Sequence, residues 1–379
     1  MKKIIATAIM LSLIVLPLKN NEVKADTLDD NTVLGVYTEE VPQHIITYAQ
    51  SDFINQLNLE VDGFQAFYLG SPFRFYHYIN NVLTKSEGYC FFVIDYTGDV
   101  YGTYEVFFNE EDEEYYSSFN RGLLNNTLSI IQSETETSPY FMVSDETANI
   151  WAVNEEKIII IETGDTEKQN SVDTEKMKKD FDKEKKSNKK LSKVKATKYD
   201  INKKYQGEII SFNPTSSTQN MLNVIGFNQY SWGWCAYCST ASIINYVRNA
   251  MLDPSIVCYG INGDYRDEGA YKWQVRSYAS SIWSFNNLYE TSSLMGMSTI
   301  KNEIDNNRPI YHEWTSTRGV HATVLNGYTD SEQYGKYYYF VNSWGDTPSF
   351  SVSLGSSEYY IWVNAGIFYS FNGAIYNWK

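Results

Sequence analysis

Two sulfurs three positions apart, Cys235 and Cys238 in the stretch WGWCAYC over 232–238, could do either of two chemistries. As a Cys-x-x-Cys dithiol they would pass electrons; otherwise one of them would attack a carbonyl. Both chemistries want sulfur at the start of a helix, where unpaired N–H groups and the macrodipole favour the thiolate, the form that attacks. The run CAYCSTASIINYVRNAM sets Ile243, Ile244 and Val247 in an apolar stripe at helical spacing, which predicts a helix opening at Cys235. Cys238 falls one turn further in, where the dipole helps less and the stripe would bury it. The preceding NVIGFNQYSWG is polar and punctuated by glycine, a loop rather than the buried strand on which a redox dithiol stands, and this favours the nucleophile. The pair also has the spacing of a zinc half-site, but no second pair follows at matching spacing, and no glycine-rich phosphate cradle is evident. No cofactor and no metal are expected.

A nucleophilic thiol needs a base to take its proton and return it to the leaving amine, and imidazole titrates in the right range. GVHATVLNGY (319–328) reads as a strand beginning at His321, and YYYFVNSWG (337–345) as a strand ending in a polar step that holds Asn342. An amide oxygen there would fix the tautomer and ring plane of the imidazole without adding charge. His312, in PIYHEW, is the competing base, but no orienting amide follows it.

The elements that must position these groups fall into chemically distinct pieces. The segment 1–25 carries Lys2 and Lys3, an apolar run from Ile4 to Leu18, and Val23-Lys24-Ala25 at its end, the pattern of a secretory signal peptide. About 15 apolar residues are short of the roughly 20 needed to span a bilayer. The mature chain is therefore expected to be secreted and extracellular, with no membrane partner. Residues 26–164 hold 24 acids and 4 bases, residues 165–204 hold 8 and 14, and residues 205–379 hold 13 and 9. The middle piece has almost no large apolar residues, reads as a Lys-rich solvated linker, and offers a protease-accessible tether. Its interleaved acids and missing aromatic platforms argue against nucleic acid. Residues 26–164 read as a compact β-rich unit, with strands at 73–79, 89–96, 100–108 and 149–162, a hairpin turn at Thr97-Gly98-Asp99, and one helix from Pro42 to Leu59. No catalytic constellation stands out there. His44 and His77 read as solvated or core histidines, and Cys90 as a buried thiol. Four cysteines in 379 residues are too few for a disulfide scaffold.

Taken in order, Gln229, then Gly233-Trp234-Cys235-Ala236 at a helix start, then His321-Ala322 opening a strand, then Asn342-Ser343-Trp344-Gly345, the chain resembles the papain-type cysteine peptidases. The arrangement of signal peptide, β-rich prosegment and a short last piece over 205–379 is similar to the secreted bacterial staphopain branch. The resemblance implies an α+β fold, with a helical subdomain carrying Cys235, a β-barrel subdomain carrying His321 and Asn342, and a cleft between them. It implies that Gln229 completes an oxyanion hole with the Cys235 backbone N–H, and that Trp344 shields the bond between Asn342 and His321. Substrates would be proteins or peptides, with residues 26–164 an intramolecular inhibitor until the linker is cut, and a dedicated protein inhibitor a further partner. Two departures matter. The usual signature makes the second of two cysteines the nucleophile, yet only Cys235 has a glutamine six positions before it. His321 and Asn342 also follow Cys235 at shorter intervals than in the larger relatives. Two other activities stay open at this point, a secreted thiol-disulfide oxidoreductase using both sulfurs and a Cys-His cell-wall amidase.

Overall fold

The computed structural model describes residues 36–37, 41–57, 67–70, 72–95, 99–125, 127, 140–145, 149–154, 156–162, 173–187, 205–206, 218–229, 233–332, 334–345 and 347–379. The signal-peptide expectation for 1–25, most of 165–204, and positions 97 and 98 of the expected hairpin turn lie outside these residues.

Rows of aromatic and β-branched residues make Tyr89–Ile94, Val100–Asn109 and Glu114–Arg121 an antiparallel meander. The helix Gln43–Leu57 lies over it, because Ile45, Ala49, Phe53 and Leu57 recur every fourth residue and all four are buried. A second sheet of five strands holds Phe75–Ile79 parallel to Phe141–Asp145, and the stretch 149–162 divides into Ile150–Val153 and Ile158–Glu162.

Downstream, four helices, Cys235–Arg248, Pro254–Asn262, Lys272–Trp283 and Met297–Asp305, share one apolar core with the strands from Ile310 to Tyr376. Ile243, Ile244, Val275, Ile300 and Ile304 supply the helical side of that core, and Tyr311, Trp314, Leu325 and Trp362 the strand side. The strands Ile310–Ser316, Gly319–Ser331 and Gly335–Val341 run as successive hairpins.

The composition breaks do not coincide with breaks in the structure. Ser349–Ser353 pairs with Gly335–Val341 on one side and with Glu114–Arg121 on the other, with Phe350 opposite Asn120, so one 13-stranded sheet runs through both pieces. Without residues 114–121 this strand would be an open edge with unpaired N–H and C=O groups. The Lys-rich segment also differs from its solvated reading. Thr174–Ser187 is a helix whose Met177 and Phe181, one turn apart, are buried, with the Phe181 ring 5.3 Å from Tyr76 and 5.2 Å from Phe141. Two apolar side chains in register suffice to dock an otherwise charged helix.

Polar contacts fasten the two pieces as well. Asp52, inside the first helix, accepts hydrogen bonds from Tyr104 Oη at 2.6 Å, Ser117 Oγ at 2.6 Å and, across the junction, Tyr337 Oη at 2.5 Å. The turn Ala365–Gly366 enters a socket built by the N-terminal piece. Glu105 accepts both its N–H groups, from Ala365 at 2.9 Å and Gly366 at 2.8 Å. Ser144 Oγ donates to Ala365 O at 3.2 Å, while Ser86 Oγ and His77 Nε2 donate to Gly366 O, each at 3.0 Å. Only glycine fits the second position, where φ is +73° and an added Cβ would stand 2.8 Å from Phe75 Cβ. His77 is thus a core histidine that bridges the junction, whereas His44 is exposed and bonds Tyr115 Oη at 2.8 Å.

Candidate active site

The helix opens at Cys235 as the spacing predicts. Trp234 is its N-cap and offers no side-chain acceptor, so the N-cap residue leaves the first-turn N–H groups uncapped. The loop before it is anchored by Gly233 N–H donating to Asp267 Oδ1 at 2.7 Å and by the Trp234 indole N–H donating to Arg266 O at 2.6 Å. Cys238 is 1 % exposed, and burial, then the neighbouring Cys235 and Asp253, push its thiol up to about 12. It is therefore a poor nucleophile and a poor half of a redox pair. Cys258 Sγ faces the carbonyls of Asp264 and Arg266 at 3.8 and 3.7 Å, and all four cysteines are free thiols, with Cys90 buried.

His321 lies near the start of the strand Gly319–Ser331, opposite Trp314. Its Nε2 is 2.7 Å from Asn342 Oδ1, and Ser343 N–H donates to the same oxygen at 2.8 Å. An atom that receives a backbone N–H must be the amide oxygen, so Nε2 carries the ring proton and Nδ1 keeps the basic lone pair. Asn342 Nδ2 is buried without a partner, a cost accepted to hold the oxygen on the ring. Trp344 stacks on the imidazole, centroids 4.0 Å apart and planes 22° apart, and Trp362 lies beside the pair, 5.3 Å from Trp344 and 5.9 Å from His321. The Trp362 indole donates to Asn120 Oδ1 at 2.7 Å, so the N-terminal piece reaches the edge of this aromatic cluster.

Gln229 joins the same row. Its backbone N–H donates to Ser343 O at 2.9 Å and its Oε1 accepts from Ser343 Oγ at 2.6 Å, which turns the NH₂ group to the opposite side of the amide. Cys235 meets the row from the helix side, where the backbone N–H of Ala322, the residue after His321, lies against the sulfur and favours its thiolate, as do those of Ala236 and Cys235. The structure thus gathers Gln229, Cys235, His321, Asn342 and Trp344. It leaves out His312, which is 1 % exposed, holds Tyr360 Oη at 2.8 Å, and is pushed down to about 3 by burial and then by Lys272.

The helix start alone does not set the charge of the sulfur. Cys235 is half-buried, and burial raises its thiol and lowers His321 to about 4, against the opposing pull of Asn342, so both shifts favour the neutral pair over the thiolate that the helix start favours. Desolvation outweighs the helix terminus. Sequence reasoning also missed Ser343, which ties Gln229 to Asn342, and Trp362, which packs beside Trp344 and His321. Ser343 had a signal, since it sits inside the Asn-Ser-Trp-Gly step; Trp362 had none.

Residues 221–355 match the Peptidase_C39 like family, a stretch that contains Gln229, Cys235, His321 and Asn342. At the family level this region of the chain is similar to cysteine peptidases. No curated protein matches the sequence. A solved structure described as "Recombinant stem bromelain precursor" is similar at 14% identity with a TM-score of 0.29, covering 40% of this chain and 66% of that one, just under two thirds. A likeness that slight carries no argument about this chain.

The buried imidazoles predict acid lability. His77 and His321 are each lowered to about 4 and His312 to about 3, from an ordinary 6.5. The unfolded chain takes up these protons first, so the stability they carry is complete above pH 6.5 and is lost as pH falls through 4, by about 3 kcal/mol for each imidazole. Glu105, raised to about 7 by burial, acts in the opposite direction and offsets roughly one of the three. Melting temperature measured from pH 7 to pH 4 should fall steeply; a flat profile would show that these rings are not held neutral.

Proposed function

We propose that the chain is a secreted cysteine endopeptidase, with Cys235 the nucleophile, His321 the base and acid, Asn342 the orienting amide, and Gln229 part of the oxyanion hole. The observation that carries this reading is the tautomer set by Asn342, which leaves Nδ1 of His321 basic on the residue whose neighbour, Ala322, lies against the sulfur. The match of residues 221–355 to a peptidase family supports it. Starting from the neutral pair, the Cys235 thiol passes its proton to Nδ1 as sulfur attacks the peptide carbonyl. The negative oxygen is held by the Gln229 NH₂ and the Cys235 N–H. His321 then gives the proton to the departing amine, leaving a thioester, and water activated by the same ring hydrolyses it. Trp344 over the ring lowers the local dielectric and strengthens the bond to Asn342.

The N-terminal piece, on this reading, is an inhibitory prosegment that cutting of the linker frees to dissociate, and the segment 1–25 directs export. Its support is the shared sheet and the socket around Ala365–Gly366.

The test is an epoxide thiol trap followed by mass spectrometry of the protein nicked by trypsin in the linker. The label should sit on Cys235. A label on Cys238 would move the nucleophile, and no label on either would remove the covalent mechanism. Release of wall peptides with casein left intact would favour the amidase reading.

A further inference from the structure

Behind the candidate nucleophile lies an ion pair that the proposed reaction does not use. Glu313 sits on the strand Ile310–Ser316, where Ala322 is its partner on one side and Gly373 on the other. The strand is irregular at that point, since the register with Ile367–Tyr376 shifts between Glu313 and Trp314. Bulges next to reaction centres commonly re-aim a side chain. Here the carboxylate is 5 % exposed, and it meets Lys272 Nζ at 3.3 Å, Asn372 Nδ2 at 3.1 Å and Tyr311 Oη at 3.4 Å. Lys272 is the first residue of the helix Lys272–Trp283, and its ammonium also donates to Asn372 O at 3.0 Å. A side chain at Gly373 would collide with that ammonium, so the glycine leaves the passage Lys272 needs. The pair therefore crosses from the helices to the strands immediately behind the residue that contacts the sulfur.

We propose that Lys272 and Glu313 are a positioning pair for the nucleophile: the ion pair fastens the start of helix Lys272–Trp283 to the two strands behind Cys235, and cancels there the charge of a carboxylate that the sulfur would otherwise face alone. The inference rests on Cys235 being the reacting sulfur. The groups that act on that sulfur are Glu313 and Ala322 from the two strands and Ala236 from its own helix, and Cys235 in turn acts on Tyr311 and Cys238. Glu313 is faced by Lys272, Asn372 and Tyr311, and Lys272 also reaches His312. Glu313 raises the thiol and Lys272 counters Glu313, so removing one or the other should shift the thiol in opposite directions.

The experiment is the rate of alkylation of Cys235 by iodoacetamide against pH, read by mass spectrometry on the full chain. Lys272→Met leaves the carboxylate uncompensated and should slow alkylation at pH 7 by at least threefold, with the midpoint moved to higher pH. Glu313→Gln keeps the shape of the side chain, removes its charge, and should speed alkylation by a similar factor. The double variant should return near the parent. A merely structural pair would lower the melting temperature and leave all three midpoints in place, which would overturn the proposal. If Lys272→Met does not fold, Glu313→Gln alone decides, and an unmoved midpoint there overturns it too. Alkylation needs no turnover, so absent casein hydrolysis by the linker-nicked parent and variants would sink the peptidase reading while the thiol shifts still decided the pair.

Discussion

Cys235→Ala brings casein hydrolysis by the linker-nicked protein to background, a loss on the order of 10⁴-fold or more, because no other group in the row can form the thioester. Cys238→Ala, by contrast, stays within a few-fold of the parent, since that thiol is buried and is pushed up to about 12. A dithiol enzyme would lose everything in both variants, so the two results together separate the chemistries. Asn342→Ala should fall between, at roughly 10- to 100-fold, because it orients and transfers nothing. It frees the tautomer of His321 and removes the acceptor that Ser343 N–H also uses. Gln229, linked through Ser343, should lose alignment with it, so the Asn342→Ala loss should appear in kcat more than in KM. Equal activity of the Cys235→Ala protein and the parent would end the proposed mechanism.

The candidate row is legible in the sequence because reaction chemistry limits the residue types that can serve. A sulfur at a helix start, an imidazole opening a strand and an amide closing the next one announce themselves by type and order, and the observed helix begins at Cys235 as the stripe of Ile243 and Ile244 requires. What the sequence does not show is burial at the site. The thiolate expectation rests on the helix terminus alone, and the burial that opposes it comes from the packing of the helix against strands much further along the chain. Nor does it show which strand edges meet. SFSVS at 349–353 and EYYSSFNR at 114–121 are ordinary segments until Phe350 is set against Asn120. In the Lys-rich helix, composition hides the signal, because two buried residues, Met177 and Phe181, outweigh their many charged and polar neighbours once they share a face.

Glu105→Ala should release the N-terminal piece once the linker is cut between 188 and 204, weakening its hold on the remainder by on the order of 30- to 1000-fold. Four donors lose this acceptor together: the N–H groups of Ala365 and Gly366, Asn120 Nδ2 at 3.1 Å, which keeps Val363 O, and Thr103 Oγ1 at 3.4 Å. Orphaned donors in a closed junction cost about 1–3 kcal/mol each, and part of that returns if water enters, which sets the range. The paired strands at 114–121 and 349–353 remain, so the effect is a weaker complex rather than an unfolded one. The latch should also respond to pH. Burial raises Glu105 to about 7 from 4.5, so its contribution to docking is complete below 4.5 and is lost as pH rises through 7. His77 is lowered to about 4 by burial and then by Arg318, so its contribution is complete above 6.5 and is lost as pH falls through 4. Between pH 4.5 and 6.5 the two slopes oppose and nearly cancel, so the nicked complex holds a plateau there and loosens by only about two- to threefold above 7 and below 4. Size-exclusion chromatography of the nicked protein across pH 4 to 8 reads this directly. Coelution that is the same at every pH, and unchanged in Glu105→Ala, would mean that the sheet alone holds the junction and that the socket around Ala365–Gly366 adds nothing to it.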